Sequence, residues 1–225
     1  NDDWLGVFGD RIIMQKPEAM QLIPPEERSS FAYLMLFEDG NRIDLTLFPL
    51  EKLEVYLGSD RMRIVLLDKD GLLPQLPPST DEDYWLTPPT CKSFDDCCNE
   101  CWWVSTYVAK GLARGQIPYA NAHLDIIRSE LMRMLSWRAG LEKGFNFAIR
   151  KEYKYLQKHI PGPDWAQLLR TWRMDNPKII WQSLFEACEL LGKVSAQVAY
   201  RLGCSNPVYD QSVMPYLRKL WESCR

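Results

Sequence analysis

Five prolines between positions 74 and 89 (Pro74, Pro77, Pro78, Pro88 and Pro89) cut this sequence into two stretches with different apolar periodicities. Each proline fixes φ and removes a backbone donor, so neither a helix nor a central strand runs through the interval. Before it, apolar residues come in short β-rich runs; after it, they recur at helical spacing. The sequence therefore predicts an α+β piece over residues 1–75, a rigid connector over 76–90 and an all-α bundle over 91–225. With 225 residues, 46% of them hydrophobic and 12% aromatic, the chain has ample material for a buried core.

In the first piece, Asp2–Phe8 reads as a short helix end and Arg11–Met14 as a strand stopped by Lys16-Pro17. Pro24-Pro25 marks a loop. Phe31–Phe37, the turn residues Glu38-Asp39-Gly40-Asn41 and Arg42–Phe48 then form a predicted β-hairpin. Leu50–Leu57 has helical spacing and closes at Gly58, and Arg63–Leu67 reads as a strand. Asp68-Lys69-Asp70-Gly71 follows as a polar turn, without the remaining positions of a calcium loop. By the period-2 rule Ile43, Leu45 and Leu47 share one face of the returning strand, and Asp44 projects from the other. Asp44 is either a solvated residue paired with Arg42 or a carboxylate placed for chemistry.

The second piece predicts helices over Ser93–Arg114, Tyr119–Lys143, Glu152–His159, Asp164–Arg173, Pro177–Leu202 and Pro207–Ser223. Ser93, Gly115, Pro163-Asp164 and Gly203 serve as boundary residues. At 100° per residue, Glu100, Trp103, Tyr107 and Lys110 all fall within roughly 40° of Asp96. Phe94, Cys97, Cys98, Cys101, Val104, Val108 and Leu112 share a separate sector. A solvated helix face explains the charges, but it rarely spends a Trp and a Tyr in line with them, so the stripe is a candidate site.

Twenty-seven basic against thirty acidic residues give a net charge of −3, with no Lys/Arg run longer than two. That excludes an electrostatic footprint for nucleic acid and suits a cationic ligand better. No 18-residue apolar run and no signal-peptide pattern occur, so a chain that does not span a membrane and resides in the cytoplasm is expected. Four of the seven cysteines, Cys91, Cys97, Cys98 and Cys101, crowd together, whereas Cys188, Cys204 and Cys224 are scattered and the only histidines are His123 and His159. Zinc needs a matched second pair of ligands, so the cysteines read as reduced core thiols. His123 reads as an ordinary helix histidine.

Asp3-Trp4, Met14-Gln15-Lys16-Pro17-Glu18, Pro24-Pro25-Glu26 and Ile43-Asp44-Leu45-Thr46-Leu47 resemble the aminoglycoside 6-adenylyltransferases. So do Leu67-Asp68-Lys69-Asp70, Asp95-Asp96-Cys97-Cys98-Asn99-Glu100 and Val108-Ala109-Lys110-Gly111-Leu112, in the same order. The resemblance implies a nucleotidyltransferase-type mixed sheet followed by a helical domain, and transfer of AMP from ATP to a hydroxyl of streptomycin. It implies Mg²⁺ held by three carboxylates, of which Asp44 is the third, as metal ligand and catalytic residue. The first two belong to a Gly-Ser-Arg loop and an Asp-x-Asp strand expected before Asn1, so these residues alone are expected to be inactive. Carboxylates with an aromatic platform suit a polycationic drug, which assigns Asp96, Glu100, Trp103 and Tyr107 to the aminoglycoside and Lys110 to the triphosphate. Lys151-Glu152-Tyr153-Lys154 resembles a Gly-Lys-x-Tyr-Lys segment, which assigns Lys151 and Tyr153 to the nucleotide, with Arg150 in place of Gly. Where the family has Ala-x-Asp-His, this chain reads Ala120-Asn121-Ala122-His123, and Asp125 is the nearest substitute acid. The alternative is a non-catalytic module of the same fold that keeps only a ligand- or partner-binding surface.

Overall fold

The computed structural model describes residues 3–22 and 30–224, so the Pro24-Pro25 loop and the Pro24-Pro25-Glu26 motif lie outside the described residues. The chain forms two compact units, Asn1–Thr80 and Asp81–Arg225.

In the first unit a 3₁₀ turn, Asp3–Phe8, precedes an antiparallel sheet of β1 (Arg11–Gln15), β2 (Phe31–Phe37) and β3 (Arg42–Leu47), in that spatial order. Gly40 sits at φ +81°, a conformation that favours glycine, and its N–H closes the hairpin on the Phe37 carbonyl at 3.0 Å. The register sets Tyr33 opposite Leu45, Met35 opposite Ile43 and Leu34 opposite Asp44. Alternation then does the sorting: Tyr33, Met35 and Phe37 are buried with Leu5, and Leu45 packs against them. Beyond the end of β1 the N–H of Ala32 finds a partner in Glu18 Oε2 at 2.9 Å.

Two expectations for this unit change. The segment Leu50–Leu57 is a 3₁₀ turn, Leu50–Lys52, running into α1 (Leu53–Ser59), so Gly58 lies inside the helix rather than ending it. The segment Arg63–Leu67 is not a strand. No described strand pairs with it, and Ile64, Leu66 and Leu67 are exposed. Strand propensity without a neighbour to hydrogen-bond does not make a strand. The turn after it forms as expected: Asp68 accepts from the N–H groups of Leu73 (3.0 Å) and Leu72 (3.1 Å), which hold its carboxyl below the usual range.

The second unit is a helical bundle of α2 (Cys91–Ala113), α3 (Ile117–Lys143), α4 (Gly162–Arg170), α5 (Pro177–Leu202) and α6 (Tyr209–Glu222). Helix α2 packs on α3, α5 and α6, and α5 also packs on α3 and α4. The α2–α3 crossing is close at Gly111, where an added Cβ would lie 2.9 Å from Tyr119 Cδ1. The cap of α2 is Thr90, three residues before the predicted start: Thr90 Oγ1 accepts from Ser93 N–H, and Ser93 Oγ accepts from Thr90 N–H. Ser93 is therefore the third helical residue of a capping box. The predicted helix Glu152–His159 is two 3₁₀ turns, Lys151–Tyr153 and Leu156–Lys158, because Glu152 and Tyr153 take positive φ (54° and 56°).

Two buried arginines tie the bundle together. Arg128 on α3 gives Nε and Nη2 to the Thr171 carbonyl at the end of α4 and Nη1 to Asp125 at 2.5 Å. Arg138 on α3 donates to Asp164 on α4 (2.5 Å) and to Gln197 on α5 (3.0 Å), and Lys193 on α5 donates to the other Asp164 oxygen (2.5 Å).

Cys97, Cys98, Cys101 and Cys188 are buried free thiols, as expected. Burial pushes the Cys98 and Cys188 thiols up to about 12, which keeps them protonated and inert. Cys91 and Cys204 depart from the reduced-thiol expectation by forming a disulfide, with Cα atoms 5.8 Å apart and a sequence separation of 113. Cys224 is exposed, not core. Denatured, unreduced protein is expected to titrate five thiols and reduced protein seven. Cys91→Ser should lower stability by up to about 5 kcal/mol, the loop entropy of so long a ring. Seven thiols before reduction, or an unchanged melting temperature, would show that the bond contributes nothing.

Candidate functional site

Helix α2 separates its two sectors as its periodicity dictates. Phe94, Cys97, Cys98, Cys101, Val104, Val108 and Leu112 are all buried against the bundle. On the opposite side Asp96, Glu100 and Lys110 are exposed, Trp103 is 58% exposed and Tyr107 half-buried. Asp96 is engaged by Lys92 one turn earlier. Glu100 and Lys110 have no ion-pair or hydrogen-bond partner for their side chains among the described residues. Trp103 Nε1 donates to Tyr107 Oη at 2.7 Å, and the two rings meet edge to face with centroids 6.0 Å apart. The stripe thus presents an uncompensated carboxylate, two ordered rings and, nearly three turns beyond Glu100, an uncompensated ammonium group. Carboxylate and ring faces attract an organic cation, and the ammonium attracts an anion.

The segment after α3 carries the other candidates in this unit. Arg150 lies at φ 68°, ψ 171°, a region that glycine occupies with little strain. That geometry gives a physical reason for a Gly at this position of the resembled segment. Arg150 is held there by Asp81 at 3.3 Å and by the Tyr84 ring, 5.7 Å from its guanidinium carbon. Lys151 follows, exposed. Tyr153 is half-buried and donates to the Ser129 carbonyl on α3 at 3.4 Å, and burial pushes its phenol above the ordinary value. Tyr153 is therefore bound into the bundle, whereas Lys151 is open to solvent.

Asp44 belongs to the first unit. Its carboxylate points away from the Tyr33–Met35–Phe37 face and is held by Arg42 at 2.8 Å through both oxygens, with the Asp44 side chain 45% exposed. The off-core face is the one that period 2 predicts, and the Arg42 pair is the one that the solvated reading of Asp44 describes. Among the described residues no group of three or more His, Cys, Asp or Glu side chains could hold a metal ion.

Two residues named from the sequence have partners on which it is silent. The substitute acid Asp125 is committed to the buried Arg128. His123 Nδ1 donates to Tyr119 O (2.8 Å), as an ordinary helix histidine would, but its ring also meets Tyr107 and Tyr119. Spacing along α2 alone carries no signal of that neighbour on α3. No described helix is long and apolar enough to cross a membrane.

A small antiparallel sheet followed by a helical bundle is the α+β, nucleotidyltransferase-type architecture with a helical domain. The chain belongs to the streptomycin adenylyltransferase family, whose sequence model matches residues 1–220. It is 42% identical over 227 residues to the aminoglycoside 6-adenylyltransferase of Bacillus subtilis, covering all of this chain and 80% of that protein. It is 44% identical over 218 residues to the enzyme of that name from Campylobacter jejuni, covering 96% of this chain and 75% of the relative. The crystal structure of an aminoglycoside 6-adenyltransferase from Bacillus subtilis superposes with a TM-score of 0.59 at 41% identity, over 98% of this chain and 82% of the solved one.

Proposed function

We propose that these residues form the larger part of an aminoglycoside O-adenylyltransferase that transfers AMP from ATP to a hydroxyl of streptomycin, releasing pyrophosphate and conferring resistance in the cytoplasm. The observation that carries this reading is the α2 stripe: Glu100 without a counter-ion, the ordered Trp103–Tyr107 pair and Lys110 without a counter-ion on one exposed line. Asp96, Glu100, Trp103 and Tyr107 hold the cationic drug, and Lys110, Lys151 and Tyr153 meet the nucleotide. Family membership and relatives named for adenylylation of aminoglycosides support the same reaction.

Asp44 would give one carboxylate to the Mg²⁺ that the resemblance implies. The described residues supply no second and third carboxylate beside it, so they do not by themselves fit that ion. Their part is to bind drug and triphosphate. The 225 residues alone are accordingly expected to release no pyrophosphate from ATP and streptomycin.

The test divides the stripe in an active protein of the relatives' length. Glu100→Gln is expected to raise the apparent constant for streptomycin, and Lys110→Met to impair use of ATP. A charge-assisted hydrogen bond contributes roughly 1.5–3 kcal/mol, so each loss should be about ten- to a hundredfold on its own substrate. Melting temperatures should move little, because both side chains lie off the buried sector. Substrate titrations of each variant decide it; small, equal effects on both substrates with a large drop in melting temperature would make the stripe structural.

A further inference from the structure

The aromatic line does not stop at α2. Trp103 contacts Tyr107, Tyr107 meets His123 of α3 edge to face (centroids 5.4 Å, 86°), and His123 lies against Tyr119 (4.1 Å, 41°). Four rings therefore run from one helix to the next, with Trp103 and Tyr119 at the two ends 58% and 45% exposed. Buried aromatic clusters close over their own faces; this one opens its ends to solvent beside an uncompensated carboxylate.

The hydrogen bonds fix the polarity of the line. A backbone carbonyl only accepts, so the 2.8 Å contact between His123 Nδ1 and Tyr119 O places the hydrogen on Nδ1. In the neutral imidazole Nε2 is then a bare acceptor, and no described residue donates to it. Tyr107 Oη already accepts from Trp103 Nε1. The free hydrogen-bonding capacity of the line thus includes one imidazole lone pair, flanked by the rings of Tyr107 and Tyr119, on the same stripe as Glu100. Ring faces, a lone pair and a carboxylate all favour a donor-rich cation and disfavour a triphosphate.

Resting on the reading of the α2 stripe as the drug site, we propose that α3 forms its second wall and that His123 Nε2 accepts a hydrogen bond from a guanidinium or ammonium N–H of the aminoglycoside. His123 is then a specificity residue that touches the substrate, and Tyr119 closes the far end of the platform.

Equilibrium titration of streptomycin into the 225-residue chain, with ATP titrated in parallel, tests this without requiring turnover. His123→Phe keeps an aromatic ring between Tyr107 and Tyr119 but removes the acceptor; it is expected to weaken streptomycin binding about five- to tenfold and to leave ATP binding and melting temperature unchanged. His123→Gln returns an acceptor and is expected to recover much of the loss. Glu100→Gln separates the two levels of the argument. If Glu100→Gln weakens streptomycin binding and His123→Phe does not, the second wall is wrong and the stripe stands. If neither substitution matters, or the unsubstituted chain does not bind streptomycin, the stripe itself is not the drug site. A loss of ATP affinity in His123→Phe, or equal losses in Phe and Gln variants with a lowered melting temperature, would overturn the proposal in favour of a nucleotide contact or a packing role.

Discussion

Asp44→Asn, in an active protein of the relatives' length, is expected to abolish streptomycin-dependent pyrophosphate release while leaving the sheet intact. Asp44 sits on the face of β3 opposite the Leu5–Tyr33–Met35–Phe37 cluster, so no packing depends on it. Asn keeps its shape and one acceptor oxygen for Arg42, and the pair it weakens is exposed on both sides, where ion pairs contribute little. What Asn removes is the negative charge, and a hard cation or a transferred proton needs that charge rather than the shape. Removing a single preorganised charge-stabilising group commonly costs on the order of 10²–10³-fold in turnover, and a smaller loss is not expected here. The measurement is pyrophosphate release beside a melting curve. Near-normal turnover at an unchanged melting temperature would leave Asp44 as a solvated strand residue and would favour the non-catalytic module.

The parts of this molecule that periodicity can encode were legible. The buried sector of α2, the face of β3 that carries Asp44 and the extent of α5, Pro177–Leu202, all follow from residues that repeat along one element. What stayed illegible depends on residues far apart in sequence or on backbone conformation. The run Ile64–Leu67 has every local mark of a strand, yet a strand also needs a neighbour, and none of the described ones pairs with it. Positive φ at Arg150, Glu152 and Tyr153 broke a predicted helix whose composition gave no Gly or Pro warning. Cys91 joins Cys204 across 113 residues, a pairing that spacing cannot choose among seven cysteines. At the candidate site the α2 stripe could be read on one helix, whereas His123 joins it only through the packing of α3. Asp164 looked like a cap because it follows Pro163 at a helix start, and nothing local reveals that it meets Arg138 and Lys193 from two other helices.

That Asp164 cluster carries a large expected effect on stability. Asp164 and Arg138 are each 2% exposed, and Nε and Nη2 of Arg138 already lack partners, so Asp164 is the anion that makes burying this guanidinium tolerable. Asp164→Ala would leave Arg138 buried and uncompensated, at a cost of roughly 3–5 kcal/mol. For a chain of this size that lowers the melting temperature by about 10 °C. Lys193 is half-exposed and can turn to water, so the penalty belongs to Arg138, and adding Arg138→Met should restore much of the loss. The pH dependence has a definite sign. Burial pushes the Asp164 carboxyl up, but hydrogen bonds and charge from Lys193 and Arg138 outweigh it and hold the group below the usual carboxylate value. A carboxyl whose folded value lies below its unfolded one adds stability that is fully present above about pH 4 and lost as the pH falls toward the depressed value. The unsubstituted protein should therefore lose melting temperature more steeply between about pH 4 and pH 3 than Asp164→Ala does. Thermal melts of the single and double variants at both pH values check each step. A single variant that melts within about 2 °C of the parent, or a double variant no more stable than the single, would mean that the cluster is a solvated pair and that the bundle is held by its apolar core alone.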